Sequence, residues 1–369
     1  MKSLAQGKFY LKSYLIRVRS FGIIPTKLGV LNSSRKSRQP HLNLGHCLFA
    51  LSLLLTGIAN ADYKVGIVLS GDNPAYEKLA QTITKSLQAS TLASIQVSSH
   101  TLTKQGVVPL ELITKANTLI TVGTSATALA LESPSEAKII STFITQNAAS
   151  KLLVQHKNHD KTGHDRRLGG IYLDQPAQRI LRLARLINPS VTQVGMLTGT
   201  LSNARTPEFQ EQAKAFGLTL NTAQLNPQHN PVKILEPIMS NSQAYIVLPD
   251  KADFNRSTAR WIIFLSYRHG IPVIGYSNRY IDAGALASIF STPEQIGQQT
   301  AELVIDQLRN PTAILPFEFP KYYVVRFNDK VKRSLGFSQL DETEIRHSLK
   351  ELEASQENSS GQEGFELNE

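Results

Sequence analysis

The sequence predicts an α/β protein made of two doubly wound parallel-sheet lobes around a central cleft. Three observations predict it. Short, near-continuous apolar runs rich in β-branched residues recur from Lys64 to Phe290, and amphipathic stretches of helical period separate most of them. About 300 residues follow the N-terminal segment, enough for two separate cores.

The chain of 369 residues carries a formal charge of +10, but the charge is localised. Nine basic residues and no acidic one lie between Met1 and His46, so the remainder is nearly neutral. An apolar run from Leu48 to Ile58 follows, then Ala59-Asn60-Ala61. A basic segment, a short apolar core and a small-x-small site describe a signal peptide over residues 1–61, with an extended n-region and cleavage after Ala61. The alternatives are an uncleaved N-terminal anchor or a translation start downstream of Met1. Cleavage implies a periplasmic location. It also makes the basic charge a targeting device and excludes nucleic acid as the expected partner. The single cysteine, Cys47, precedes the apolar run, so the mature chain has no disulfide or thiolate site and no lipoprotein cysteine.

The predicted strands are Lys64 to Leu69, Ile95 to Ser99, Thr118 to Val122, Lys138 to Ile144, Gln193 to Leu197, Leu218 to Ala223, Ala244 to Leu248, Pro272 to Tyr276 and Leu286 to Phe290. Helical segments between them include "AYEKLAQTITKSL", "AQRILRLARLI" and "EFQEQAKAF". A helix after Ser291 is marked by a hydroxyl cap, Pro293 in its first turn and Glu294. In "AQRILRLARLI" the row Arg179, Arg182, Arg185 is read as a solvated face. Residues 153–170 are polar and break the period, as a connection would. Residues 338–369 are read as an acidic, largely disordered tail.

Three constellations could carry chemistry. His156, His159, Asp160 and His164 fall within nine positions, but on a segment that reads as a loop, so no metal site is assigned. Gly123-Thr124-Ser125-Ala126-Thr127 resembles a nucleophile elbow without its second glycine. Its only partners, Asp250 and His269, are poorly placed for a triad, so no catalytic residue and no cofactor is assigned. The same turn suits an anion, because it offers two hydroxyls and free N–H groups at a helix start.

Ligands of open α/β sheets sit beyond the carboxyl ends of the strands. The residues expected there are Ser70 and Gly71 after the first strand, Thr124 and Ser125 after the third, and Thr145 after the fourth. The second half contributes Asp250, Tyr276 and Ser277. The set is rich in hydroxyls and has no obvious acid–base pair.

The segments "VGTSATALA", "GGIYLDQPAQRILRLARLINPSVTQVGML", "AYIVLPD" and "GIPVIGYSNRYIDAGALASIFSTPEQIGQQTAELV" together resemble the ABC-transporter substrate-binding proteins of the type I periplasmic-binding fold. The resemblance covers most of Tyr63 to Phe337. It implies two lobes joined by three crossings, and a non-enzymatic receptor that is a monomer, takes a small molecule and delivers it to an ABC permease. Relatives that bind aromatic amino acids imply a carboxylate at Thr124 and Ser125, an ammonium at Asp250 and a side chain against Tyr276. The sequence departs from those relatives in lacking Asp-Pro after the fourth strand and in carrying Pro249-Asp250-Lys251 where they carry Thr-Asp-Asn.

The expected division is residues 62–170 with 285–313 in the first lobe and 171–284 with 314–337 in the second. An envelope sensor or protein-interaction module on the same fold is the alternative function. A transcriptional repressor would need a helix-turn-helix in the first 60 residues, where Pro25, Pro40 and the apolar run stand instead.

Overall fold

A computed structural model describes residues 63–91, 94–103, 108–156, 167–226, 228 and 230–363. The expected signal peptide and most of the histidine cluster lie outside the described residues. Twelve strands among these form two sheets of six. They are β1 (Tyr63–Leu69), β2 (Ile95–Thr101), β3 (Thr118–Val122), β4 (Lys138–Ile144), β5 (Leu168–Tyr172), β6 (Gln193–Thr198), β7 (Thr219–Gln224), β8 (Ala244–Val247), β9 (Val273–Gly275), β10 (Ala287–Phe290), β11 (Phe317–Glu318) and β12 (Val324–Phe327). The helices are α1 (Pro74–Gln88), α2 (Leu110–Lys115), α3 (Thr124–Glu132), α4 (Gln146–Gln155), α5 (Ala177–Ile187), α6 (Thr206–Ala215), α7 (Pro231–Ser240), α8 (Arg256–His269), α9 (Asn278–Ala283), α10 (Pro293–Arg309), α11 (Asp329–Ser334) and α12 (Glu342–Glu363).

The first sheet runs β11-β5-β4-β3-β1-β2 and the second β12-β10-β9-β8-β6-β7. All pairings are parallel except β10 with β12. The two lobes are therefore the predicted α/β class, each with helices packed on its sheet and its own apolar core. In the first, Ile67, Ile120, Ile140 and Ile171 lie under α1 and α10; in the second, Val194, Ile246 and Ile289 lie under α5. The expected helix start after Ser291 is a full capping box, with Thr292 and Gln295 bonded reciprocally and Pro293 in the first turn.

Four features differ from the sequence reading. Strand β5 occupies the end of the stretch read as a polar connection. Its Gly169-Gly170 pair hides the strand period, and glycine is required because a Cβ on Gly169 would come within 2.5 Å of the Pro316 carbonyl oxygen. Strand β10, expected with the first lobe, pairs with β9 and β12 in the second sheet, so the chain crosses after Phe290 rather than before Ala285. Strand β11, expected in the second lobe, pairs with β5 in the first.

The fourth difference is the C-terminal region, read as disordered from residue 338. Helix α12 fills most of it and packs on α5 and β12, because Leu340, Ile345 and Leu349 bury against the second lobe's core. That helix also explains the arginine row. Arg179 is only 6% exposed, lies 4.0 Å over the Tyr323 ring and pairs with Glu353 of α12, so that end of the row is covered, while Arg185 at the other end is exposed as the sequence suggests.

Three segments connect the lobes, after β5, after β10 and between β11 and β12. Gln175 ties them side by side. Its amide donates to Ser291 Oγ at 3.0 Å, Ser291 Oγ donates to the Tyr322 carbonyl at 2.6 Å, and Arg179 Nη1 reaches both Gln175 Oε1 and the Pro320 carbonyl at 2.7 Å.

Candidate functional site

In each sheet the strand order reverses beside its first strand, between β1 and β3 in one lobe and between β6 and β8 in the other. Those two switch points open at the carboxyl ends of the strands, where the loops diverge and leave a crevice. The first is shaped by Gly123. Its φ of +88° suits glycine, and a Cβ there would sit 2.8 Å from Ser70 Oγ and 2.9 Å from the Tyr76 hydroxyl.

Beneath that turn α3 is held by side chains. Ser70 Oγ accepts from the Ala126 N–H at 2.9 Å, and Thr127 Oγ1 donates to the Gly123 carbonyl at 3.0 Å while also meeting Thr121 and Ser141 hydroxyls at 2.9 and 2.7 Å. Thr127 stands where a nucleophile elbow has glycine, and it is buried in this hydroxyl cluster. Thr124 and Ser125 remain exposed at the helix start, where unpaired N–H groups and the dipole favour negative charge.

A cavity of about 600 Å³ lies between the lobes. It brings together Thr124, Ser125 and Thr145 from the first lobe with Asp250 and Tyr276 from the second. A smaller, more apolar compartment of about 220 Å³ adjoins it through Phe143, Asp174, Arg205 and Tyr276, and Ser277 lines that one. Ser70 and Gly71 line neither; Ser70 acts from below, on the α3 turn.

Asp250, expected as an ammonium partner, lines the cavity with its carboxylate engaged by its own lobe. Its Oδ2 accepts from the N–H groups of Leu201 and Ser202 at 2.8 and 2.7 Å and from the Ser202 hydroxyl at 2.8 Å. Its Oδ1 accepts from Ala252 and Asp253 N–H at 3.1 and 3.3 Å. Five donors from its own lobe occupy a carboxylate that is 3% exposed, and it pins the loops after β6 and β8 together.

Sequence reasoning missed the second buried carboxylate. Asp174, on the first crossing, accepts from the Gln146 N–H at 2.6 Å and lies 3.7 Å from Arg205, which itself forks onto Glu208 at 3.0 Å. Burial pushes the Asp174 pKa up, against the pull of Arg205 and of the Gln146 N–H. Asn147 also reaches across, its amide donating to the Leu201 carbonyl of the other lobe at 2.7 Å.

Aromatic rings complete the walls. Tyr76 and Phe143 meet edge to face with centroids 5.6 Å apart, and Tyr276 lies 5.1 Å from Tyr280 in the second lobe. Phe143 is the one non-glycine residue among those described with positive φ, +56°, next to a register shift between Thr142 and Ile144. Inside a strand it reads as core; only the bulge turns it toward the cleft. His269, the alternative base for Ser125, pairs with Glu236 at 3.0 Å and lines neither compartment. Among the described residues no group of three His, Cys, Asp or Glu is placed to hold a metal.

Comparisons with known proteins agree with this architecture. No curated protein matches the sequence. The ligand-free, open structure of CD0873, a substrate-binding protein with adhesive properties from Clostridium difficile, superposes with a TM-score of 0.58 at 17% identity, covering 74% of this chain and 95% of that one. An ABC domain from Streptococcus pneumonia in complex with L-Trp gives a TM-score of 0.49 at 17% identity, over 75% of this chain and 95% of that one. A periplasmic ribose ABC transporter protein from Conexibacter woesei gives 0.47 at 12% identity, over 76% and 97%. The family model described as ABC transporter substrate binding protein matches residues 64–336. With that match spanning both sheets and the cavity between them, this chain belongs to the ABC transporter substrate-binding proteins, a family of non-enzymatic binding components.

Proposed function

We propose that the chain is a periplasmic solute receptor that takes a small molecule into the interlobe cavity and presents it to an inner-membrane permease. The observation that carries this reading is the cavity of about 600 Å³ at two facing switch points, walled by both lobes and by aromatic and hydroxyl side chains. Thr124 and Ser125 are the donors for an anionic group of the ligand, Thr145 stands beside them, and Tyr276 with Ser277 forms the opposite wall. Asp250 holds the receiving loops in shape. The amino acid implied by the family resemblance meets donors suited to its carboxylate, while Asp250 has its acceptor positions already occupied.

A ligand that binds only the folded state raises its melting temperature, by an increment that grows with concentration above Kd. Thermal unfolding in the presence of amino acids, small carboxylates, purines and sugars tests the reading. A saturable rise that Ser125→Ala weakens supports it. No rise with any class would instead favour an envelope sensor or protein-interaction module.

A further inference from the structure

The charges around the cleft are unequally partnered. Among the described residues five charged side chains line the larger compartment: Lys151, Asp174, Arg205, Asp250 and Lys251. Both carboxylates are occupied, Asp250 by five donors of its own lobe and Asp174 by the Gln146 N–H and Arg205. Arg205 is neutralised in turn by its fork onto Glu208. Asp253, close to the same loop, accepts from the Thr200 N–H.

The two lysines stand apart. Lys151 projects from α4 of the first lobe and Lys251 from the loop after β8 of the second, both exposed, and neither meets a carboxylate among the described residues. The exposed hydroxyls of Thr124 and Ser125 line the same cavity. A solute held between these walls meets cations on both sides, while the two carboxylates among the described lining residues are already engaged within the protein. A ligand ammonium would lose hydration and gain no counter-charge, which is costly in a closing cleft. A ligand carboxylate would gain two counter-charges, one from each lobe.

The walls add a shape requirement. Tyr76 and Phe143 on one side and Tyr276 on the other offer ring faces and edges, and the adjoining compartment of about 220 Å³ is lined mainly by apolar side chains, among them Ile180, Val247 and Ile289. The geometry points to a planar organic anion without an ammonium group, an aromatic or unsaturated carboxylate rather than an amino acid, as the ligand class of this cleft. The inference rests on the reading that the interlobe cavity is the solute site.

The test is calorimetric titration of the full chain with three probes that share one ring and differ in charge: indole-3-acetate, L-tryptophan and tryptamine. Benzoate and D-ribose extend the set. The expected result is binding of indole-3-acetate or benzoate roughly tenfold or more tighter than L-tryptophan, with none for tryptamine. Lys151→Gln and Lys251→Gln should each weaken the anion by about fivefold, and added salt should weaken it further. Both lysines are exposed, so the two variants should melt with the unmodified chain.

Equal or tighter binding of L-tryptophan, tryptamine or ribose overturns the inference and leaves solute binding standing. So does an anion affinity that the double lysine variant leaves unchanged. If no probe of any charge binds, the solute-receptor reading falls together with the inference.

Discussion

Asp250→Ala separates a residue that holds the fold from one that holds the ligand. The substitution removes acceptors from four N–H groups and one hydroxyl. Ala252 is exposed and Leu201 and Asp253 are half-buried, so their N–H groups can turn to water, whereas Ser202 is 3% exposed and would be left with both its N–H and its hydroxyl proton without an acceptor. Two stranded donors at about 1–2 kcal/mol each give a loss of about 3 kcal/mol. For a domain pair of about 300 residues that lowers the melting temperature by about 5 °C. Asp250→Asn, which keeps one acceptor oxygen, should lose about half as much. Circular dichroism melts of ligand-free protein read the effect directly. If Asp250→Ala melts with the unmodified protein while its solute affinity collapses, the carboxylate faces the ligand and the role assigned to it here is wrong.

Three further outcomes are expected. Leu349→Ala, at a fully buried position of α12, should cost about 3 kcal/mol in a denaturant titration; an unchanged midpoint would mean the C-terminal helix does not pack on the second lobe. Thr127→Gly creates the G-x-S-x-G spacing but removes a buried hydroxyl and puts glycine inside a helix, so it should destabilise by about 2 kcal/mol. It should also leave p-nitrophenyl acetate uncleaved, and turnover would show that a general base serves Ser125. Asp174 binds its proton more tightly when folded than unfolded, so its contribution to stability should fall as pH rises from about 4 through its raised native pKa. Asp174→Asn should flatten that part of a melting-temperature series taken upward from about pH 4, and an identical slope would refute the assignment.

Much of the fold is legible because parallel strands buried on both faces leave unbroken apolar runs. Eight of those runs are strands within a residue or two of where the pattern puts them, and "PVIGY" is trimmed to Val273–Gly275. What the pattern hides has physical causes. Gly169-Gly170 has no side chains to show a period, and two-residue β11 is too short to have one. The lobe that β10 joins is decided by pairing partners distant in sequence, and Arg179 looks solvated until α12 covers it.

The cleft was legible as a set of positions but not as roles. Thr124, Ser125, Thr145, Asp250 and Tyr276 come together because topology fixes where strands end. Occupancy of a carboxylate is set by local loop geometry, so Asp250 reads the same in sequence whether it is free or taken. The Asp174–Arg205 pair spans residues on the crossing and in the second lobe, and Phe143 enters the cavity through a bulge that apolar periodicity does not encode.

Phe143 also sets a direction for anyone who selects this protein for robustness. A bulky side chain at φ +56° holds strain of about 1–3 kcal/mol that glycine or asparagine at the same place would largely relieve. Phe143→Gly would release that strain but also remove a ring that packs on the first lobe's core and on Tyr76, so selection under heat alone should keep the phenylalanine. The strain persists because the same side chain walls the cleft and seals the core beside it.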